Sequence, residues 1–176
     1  GPEVAVQALD TISYLESTWS VYQRTSEISL INENALQKTI SVSESTIQLL
    51  DLAAQIWKRT NGCFDITSHE LTKTWGFFRR QGRLPTDSEI AQALTTIGTQ
   101  HIVIDHKEKT VKLSHGVAIN SGGIGKGLAI DMACQLLESK DIEQYAFHGG
   151  KSSMRCRGNE TLSLDRTGWN VIVRHP

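Results

Sequence analysis

The chain has 176 residues, of which 39% are hydrophobic and 21% charged, a composition typical of one ordinary globular domain with a sizeable core. A formal net charge of −1 argues against nucleic acid or an anionic membrane as the main partner. No apolar run approaches the roughly 20 residues that a transmembrane helix needs. The three cysteines (Cys63, Cys134 and Cys156) are widely spaced and odd in number, which indicates neither a metal knuckle nor a dense disulfide framework.

Two long amphipathic helices are predicted in the first third of the chain. Apolar residues recur at helical spacing over residues 4–19 and again over residues 44–60, where Ser43 is the expected N-cap. Ser26 is expected to cap a shorter helix, and Tyr22 lies in the loop before it. An exposed tyrosine in such a loop is either a rim residue or a flat platform for a ring-shaped ligand.

A loop and an aromatic cluster follow the second long helix. Residues 62–67 are predicted to form a loop that Phe64 anchors by burial. The aromatic residues at 75–78 flank a glycine turn, and such a cluster is more typical of a core than of a cofactor site.

The next segment combines a capped helix with a hairpin. Thr86 and Glu89 form the spacing of a capping box, and the helix they open is expected to end at Gly98. Apolar and polar residues then alternate over residues 101–105 and 110–113, which predicts two strands joined by a tight turn.

The most distinctive stretch holds four glycines between Gly122 and Gly127, after a short apolar run and before an amphipathic helix. Bare backbone at a helix start, with Lys126 inside the loop, suits an anionic ligand such as a phosphate, but it also suits a tight turn with a surface lysine. A P-loop is excluded because Gly127 follows Lys126, and the dinucleotide fingerprint is excluded because Leu128 stands at its third glycine.

The end of the chain is predicted to be mainly strand. Residues 144–148, 152–157 and 168–173 have strand-like patterns, so helices cluster early and strands late. An α+β fold is therefore expected.

Several segments together resemble the FAD:protein FMN transferases, also called the ApbE or thiamine-biosynthesis lipoprotein family. The matching segments, in order, are residues 20–32, 60–67, 75–77, 118–131, 148–150 and 168–173. The resemblance implies an ApbE-like, T-fold-like domain over residues 1–176, with a mainly antiparallel sheet and packed helices. It also implies that the domain is truncated at both ends, because the chain stops at Pro176 before the family's last motifs.

The family resemblance implies a magnesium-dependent transferase. Such an enzyme splits the pyrophosphate of FAD, attaches FMN to a Thr or Ser hydroxyl of a target flavoprotein and releases AMP. The chemistry needs a fixed pyrophosphate, neutralised charge and an aligned hydroxyl. The resemblance further implies a periplasmic protein or a membrane-anchored lipoprotein.

Seven residues receive roles from the resemblance. Tyr22 would lie against the isoalloxazine ring, and Gly123 would offer its backbone carbonyl to magnesium. The flavin-pocket segment and the other FAD contacts would be Cys63, Phe64, Asp65, Asn120 and Lys126. The catalytic residues themselves are expected in the family's C-terminal segment, which this chain does not reach.

Departures from the family pattern favour a second hypothesis, a degenerate homologue that binds flavin or a partner protein without transferring anything. Asn120 and Lys151 stand where the family usually has aspartate.

Asp65 and Asp131 are the remaining oxygen donors for magnesium, although a charge at Asp131 is more typical of an outer helix face. The six histidines show no metal-ligand spacing, and His148 is expected to be a strand-end residue rather than a base.

Overall fold

The computed structural model describes residues 1–79, 81–150, 152–160 and 168–172. Within these ranges the helices are α1 (Pro2–Trp19), α2 (Glu27–Asn34), α3 (Glu44–Arg59), α4 (His69–Thr74), α5 (Asp87–Leu94) and α6 (Gly125–Glu138). The strands in the same ranges are β1 (Ile40–Ser41), β2 (Ile102–Asp105), β3 (Thr110–Leu113), β4 (Tyr145–Gly149) and β5 (Ser153–Arg157). All pairs of these strands run antiparallel, which confirms the predicted α+β class. Lys151, Val173 and His175, on which sequence-based expectations fall, lie outside the described residues.

The chain divides into two compact units. The terminal unit consists of residues 1–16 and 126–176, and the central unit consists of residues 17–125. In the terminal unit the core lies along one face of α6, together with α1 and β4. Its buried members are Ala8, Ile130, Ala133, Cys134, Leu137 and Tyr145. This face explains why the sequence of α6 is amphipathic.

The central unit contains a three-stranded sheet in the order β1-β3-β2. Val111 of the middle strand is fully buried and is the register partner of both Ile40 and Ile104. The turn between β2 and β3 forms because the Asp105 side chain accepts backbone N–H groups two and three residues later. Positive φ at Lys109 then completes the turn, so the predicted hairpin is confirmed.

Three helix starts follow the predicted capping chemistry. The side chains of Ser26, Ser43 and Thr86 each accept a backbone N–H from the first turn of the helix they precede. Thr86 also completes a capping box with Glu89. Side-chain oxygens satisfy N–H groups that a helix start otherwise leaves unpaired, and for this reason local sequence identified all three positions.

Replacing Ser43 with alanine is expected to lower the free energy of unfolding by about 1–2 kcal/mol. The Ser43 hydroxyl accepts from Thr46 N at 3.3 Å and donates to Glu27 Oε2 at 2.9 Å, so the variant loses both the cap of α3 and a link to α2. Urea unfolding followed by circular dichroism measures the change. Ser88→Ala, on the exposed first turn of α5, is the matched control and should differ little from the wild type.

Two expectations were wrong in detail. α5 ends at Leu94, not at Gly98, because the chain turns at Thr95 and Thr96, whose hydroxyls donate to backbone carbonyls one helical turn back. Residues 168–172, the described part of the expected last strand, form no strand. There Gly168 N donates to the side chain of Asn159 and not to a neighbouring strand.

The aromatic cluster at 75–78 is also less buried than expected. Phe77 is 60% exposed, and Trp75 and Phe78 are half-buried. Gly76 adopts a φ of +74°, which reverses the chain and turns Phe77 outward. Among the described residues, no helix combines the length and apolar character that crossing a bilayer requires.

Candidate functional site

The glycine turn (residues 120–125) is held by three separate attachments within the central unit. Asn32 forms two hydrogen bonds with the backbone of Ile119, one to its N–H at 2.7 Å and one to its carbonyl at 2.9 Å. Asn120 N donates to the Ile66 carbonyl at 2.7 Å. The buried Ser121 hydroxyl donates to the carbonyl of Trp19 at 2.7 Å. The backbone at residues 119–121 is therefore fixed by three different segments before the exposed glycines begin.

Phe64 packs directly against this turn. A Cβ atom placed on Gly123 would lie 3.2 Å from the ring edge of Phe64, closer than most carbon contacts. Gly122 and Gly123 are both exposed, so a ligand can approach their main chain beside the half-buried Phe64 ring. The close approach of ring and backbone brings two of the predicted site residues together.

Asn120 occupies the position that the family pattern gives to an acid. Its side-chain oxygen accepts the N–H of Gly122 at 3.0 Å, and its amide donates to the Thr72 hydroxyl at 3.3 Å. An aspartate could accept the first of these bonds but could not donate the second. The amide therefore suits the observed partners, and it leaves the turn without a negative charge.

Asp65 organises the loop that precedes α4. Its Oδ1 accepts from Thr67 N, Thr67 Oγ1 and Thr99 Oγ1 at 2.6–2.8 Å, and its Oδ2 accepts from Thr99 N at 3.0 Å. Burial alone would raise the pKa of Asp65, but the hydrogen bonds from Thr67 and Thr99 outweigh burial and hold the pKa below its ordinary value. Both carboxylate oxygens are thus engaged within the protein. The predicted contact of Asp65 with flavin stays a prediction.

Tyr22 presents an open ring surface. It follows α1 in a turn and is 68% exposed. Its ring lies 5.0 Å from that of Phe78, with 31° between the two planes. The Ser20 carbonyl beside it accepts from Ser26 Oγ at 2.6 Å, which ties the turn to the start of α2. The sequence analysis predicted a ligand contact for Tyr22 and none for Phe78, because nothing in the local pattern separates Phe78 from its neighbour Phe77.

Lys126 belongs to the terminal unit. Its side chain is exposed, and Nζ donates to the Ser152 hydroxyl at 3.0 Å. Its position on the first turn of α6 adds a full positive charge to the partial charge of a 14-residue helix. Asp131 forms an ion pair with Arg155 at 2.8 Å and is exposed, as a charge on an outer helix face would be.

No group of three or more His, Cys, Asp and Glu side chains within the described ranges could hold a metal ion. The family's magnesium would find the backbone carbonyl of Gly123 on an exposed turn, and Asp65 is already engaged by Thr67 and Thr99. A single carbonyl does not make a magnesium site, because this ion needs several oxygen ligands in octahedral array. The described residues alone do not fit the metal.

The three cysteines are expected to differ sharply in reactivity towards N-ethylmaleimide. Cys63 is exposed, whereas Cys134 is fully buried and burial raises the pKa of its thiol. Cys63 should therefore be labelled in the folded protein and Cys134 only after unfolding. Mass spectrometry of the labelled peptides measures both rates. Equal labelling of Cys63 and Cys134 in the folded state would contradict the structure.

A model of the ApbE family matches residues 3–176 of the chain. Among curated proteins, the FAD:protein FMN transferase of Vibrio cholerae is 26% identical over 159 residues, and that of Escherichia coli is 25% identical over 163 residues. Each alignment covers 89% of this chain but only 46% and 45% of the respective relative. The chain therefore spans about half the length of the curated relatives it matches.

Solved structures give the same result for the fold. The ApbE protein of Thermotoga maritima superposes with a TM-score of 0.73 and 30% identity, covering 81% of this chain and 46% of that protein. The flavin transferase ApbE of Vibrio cholerae superposes with a TM-score of 0.79 over 91% of this chain and 52% of its own, and at 24% identity it supports the fold alone.

Proposed function

Because the chain belongs to the ApbE family, we propose that the protein is an FAD:protein FMN transferase. In this reaction a Thr or Ser hydroxyl of a target flavoprotein attacks the FMN phosphorus of FAD. The pyrophosphate bond breaks, and AMP leaves. The observation that supports the proposal most is the family match over nearly the whole chain. The glycine turn, which packs against Phe64 and which the Asn120 side chain helps to close, is its structural counterpart.

The central unit would supply the flavin end of the site. We assign Tyr22 as the surface on which the isoalloxazine ring stacks, since its exposed ring is large, flat and backed by Phe78. Phe64 and the bare backbone of Gly123 would flank the rest of the ligand. Cys63 is exposed next to Phe64 and would border the bound flavin.

Lys126 would contribute charge in this proposal. An ammonium group on the first turn of a helix attracts a pyrophosphate through its formal charge and through the helix dipole. The hydrogen bond from Nζ to Ser152 fixes the side chain without neutralising it. The positive charge therefore remains available to a phosphate.

We also propose that transfer requires Mg²⁺ and that the chain's own contribution is the carbonyl of Gly123. The other ligands would have to lie outside the described residues, because these contain no suitable acidic cluster. Transfer at an equal rate with Mg²⁺ and with excess EDTA would contradict this requirement. A periplasmic or lipid-anchored location is a further proposal, supported by family resemblance alone, and fractionation of cells expressing the intact gene tests it.

The decisive experiment combines two measurements on the product of the intact gene. Incubation with FAD, Mg²⁺ and a candidate target flavoprotein should release AMP and add the mass of FMN to a Thr or Ser of the target. FAD should also slow the labelling of Cys63 by N-ethylmaleimide and leave that of Cys156 unchanged. Absence of both effects would reject the flavin site as well as the transfer activity.

A second candidate function is flavin binding without transfer. It is favoured by Asn120, whose amide donates to Thr72 and adds no negative charge to the turn. In this case FAD would protect Cys63 but no AMP would appear with any target. Asn120→Asp separates the two functions, because restoring the acid should raise transfer only in a protein that already transfers.

A further inference from the structure

His69, the first residue of α4, is a buried titratable group that the proposed function leaves without a role. It is 7% exposed, and its Nδ1 atom has no hydrogen-bond partner among the described residues. Buried polar atoms in native proteins are almost always paired, so an unpaired one calls for an explanation. The sequence pattern did not single out this histidine, because it has no metal-ligand spacing.

The imidazole of His69 is the first ring of an aromatic row that also contains Phe78 and Tyr22. The ring centres of His69 and Phe78 lie 5.2 Å apart with 73° between their planes, an edge-to-face contact. The Phe78 ring in turn lies 5.0 Å from Tyr22. The row therefore connects a buried imidazole to the exposed ring that we assign to flavin stacking.

Phe78 also has space into which it can move. Together with Lys73, Gly76, Gln81 and Arg83 it lines a pocket of about 430 Å³ in the central unit. The loop behind it is closed by hydrogen bonds from Gln81 N to the Gly76 carbonyl and from Arg83 N to the Trp75 carbonyl. A Cβ atom on Gly76 would meet the Gln81 carbonyl oxygen, so the backbones of these two residues pack closely. The pocket therefore leaves open volume beside the Phe78 side chain.

We propose that His69 is a positioning residue for Tyr22, acting through Phe78, and that protonation of its buried imidazole releases the Tyr22 ring and weakens flavin binding in acid. This inference rests on the assignment of Tyr22 as the flavin platform. A protonated imidazole must donate from both nitrogens, and Nδ1 has no acceptor in the described part of the chain. The free energy gained from the ring contact with Phe78 is smaller than the cost of burying an unpaired charged donor. Protonation of His69 therefore disrupts the packing of the two rings.

Burial and the neighbouring charges together lower the pKa of His69. Burial lowers the pKa of His69, Lys73 on the same helix lowers it further, and Glu70 opposes both. The ring packed against His69, that of Phe78, carries no charge. The backbone of His69 contacts the segment before the glycine turn through the hydrogen bond from His69 N to the uncharged Ala118 carbonyl. His69 is thus neutral near pH 7. Its imidazole becomes charged only below the ordinary histidine pKa of about 6.5, and the ordered row is lost as the pH falls through the lowered pKa of His69.

The test compares FAD affinity at pH 7.5 and pH 5 for the wild type, His69→Phe and His115→Phe. Losing one aromatic contact corresponds to about a 2- to 10-fold change in an equilibrium constant. The wild type should bind FAD more weakly in acid by a factor of this size, and His69→Phe should lose that difference. His115, which is exposed and whose Nε2 donates to the Thr95 carbonyl at 3.2 Å, is the matched control and should keep it. An equal acid loss in His69→Phe and the wild type would overturn the proposal.

A second measurement needs neither flavin nor a variant at His69. The chain has three tyrosines, so ¹⁹F NMR of protein labelled with fluorotyrosine gives three signals, and Tyr22→Phe identifies the one from Tyr22. Between pH 7 and pH 5 the Tyr22 signal should shift together with the Cε1–H signal of His69, while Tyr14 and Tyr145 stay unchanged. A Tyr22 signal that ignores the titration of His69 would refute the coupling. If FAD does not bind but the two signals move together, the proposed function fails and the coupling stands.

Discussion

Replacing Asp65 with alanine is expected to lower the free energy of unfolding by about 2–4 kcal/mol. The carboxylate accepts four hydrogen bonds and joins Thr67 to Thr99, two residues that are 32 positions apart in the chain. The variant leaves the N–H groups and the hydroxyls of both Thr67 and Thr99 without this acceptor. Because the carboxylate is only half-buried, water replaces part of the loss, which keeps the change below the sum of four separate bonds.

The pH dependence of this effect has a defined sign. Hydrogen bonds hold the pKa of Asp65 below its ordinary value in the folded state. The stabilisation is therefore fully present above the unfolded value of about 3.9 and is lost as the pH falls through the folded value. Urea unfolding at pH 7, 5, 4 and 3 should show a constant difference between wild type and Asp65→Ala down to about pH 5, followed by a decline.

Asp65→Asn is the matched control for charge and shape. Its amide oxygen can still accept from Thr67, but its NH₂ group cannot accept from Thr99 N, so the variant should be intermediate in stability. It should also remove the acid transition, since it does not titrate. A variant as stable as the wild type at pH 7 would show that the network around Asp65 is not a structural element.

Replacing Tyr22 with alanine is expected to weaken FAD binding by about 10- to 100-fold. Stacking of a flat heterocycle on one aromatic side chain is worth about 1–3 kcal/mol, and Tyr22 has the exposed ring for it. Tyr22→Phe keeps the ring and should bind within a few-fold of the wild type. Quenching of flavin fluorescence during a titration with protein measures both affinities.

Tyr14→Ala controls for the loss of an exposed tyrosine, since Tyr14 is 53% exposed on α1. Circular dichroism confirms that each variant is folded, which the exposure of Tyr22 leads us to expect. Unchanged affinity in Tyr22→Ala would remove this residue from the flavin site. The glycine turn and Phe64 would then have to account for the flavin contacts of the central unit.

Local chemistry accounts for the parts of the fold that the sequence predicted. The caps at Ser26, Ser43 and Thr86 depend on a side chain and a backbone N–H only three residues away, and all three are confirmed. The hairpin at Asp105 is equally local. The strand expected from Gly168 does not form over residues 168–172, where Gly168 N donates to the Asn159 side chain, a contact that strand propensity does not predict.

The candidate site shows the same difference between local features, which the sequence predicts, and long-range contacts, which it does not. Tyr22 and Gly123 were assigned to the site from the family resemblance and stay predictions, whereas the contacts that hold the surrounding segments come from distant parts of the chain. Asp65 and Thr99 are 34 residues apart, and Asn32 lies 87 residues before Ile119. No periodicity or motif links such pairs, so the sequence could propose the site residues without showing how they are held. The edge contact between His69 and Phe78 belongs to the same class.

The double hydrogen bond between Asn32 and Ile119 has a thermodynamic consequence. An amide side chain here takes the place of a neighbouring strand, satisfying one donor and one acceptor of an otherwise irregular segment. The backbone leading into the glycines is therefore rigid before any ligand arrives, and complex formation loses little conformational entropy there. Preorganisation of this kind favours rapid association over a slow rearrangement. Without the two hydrogen bonds of Asn32, the backbone would have to become ordered while the ligand binds.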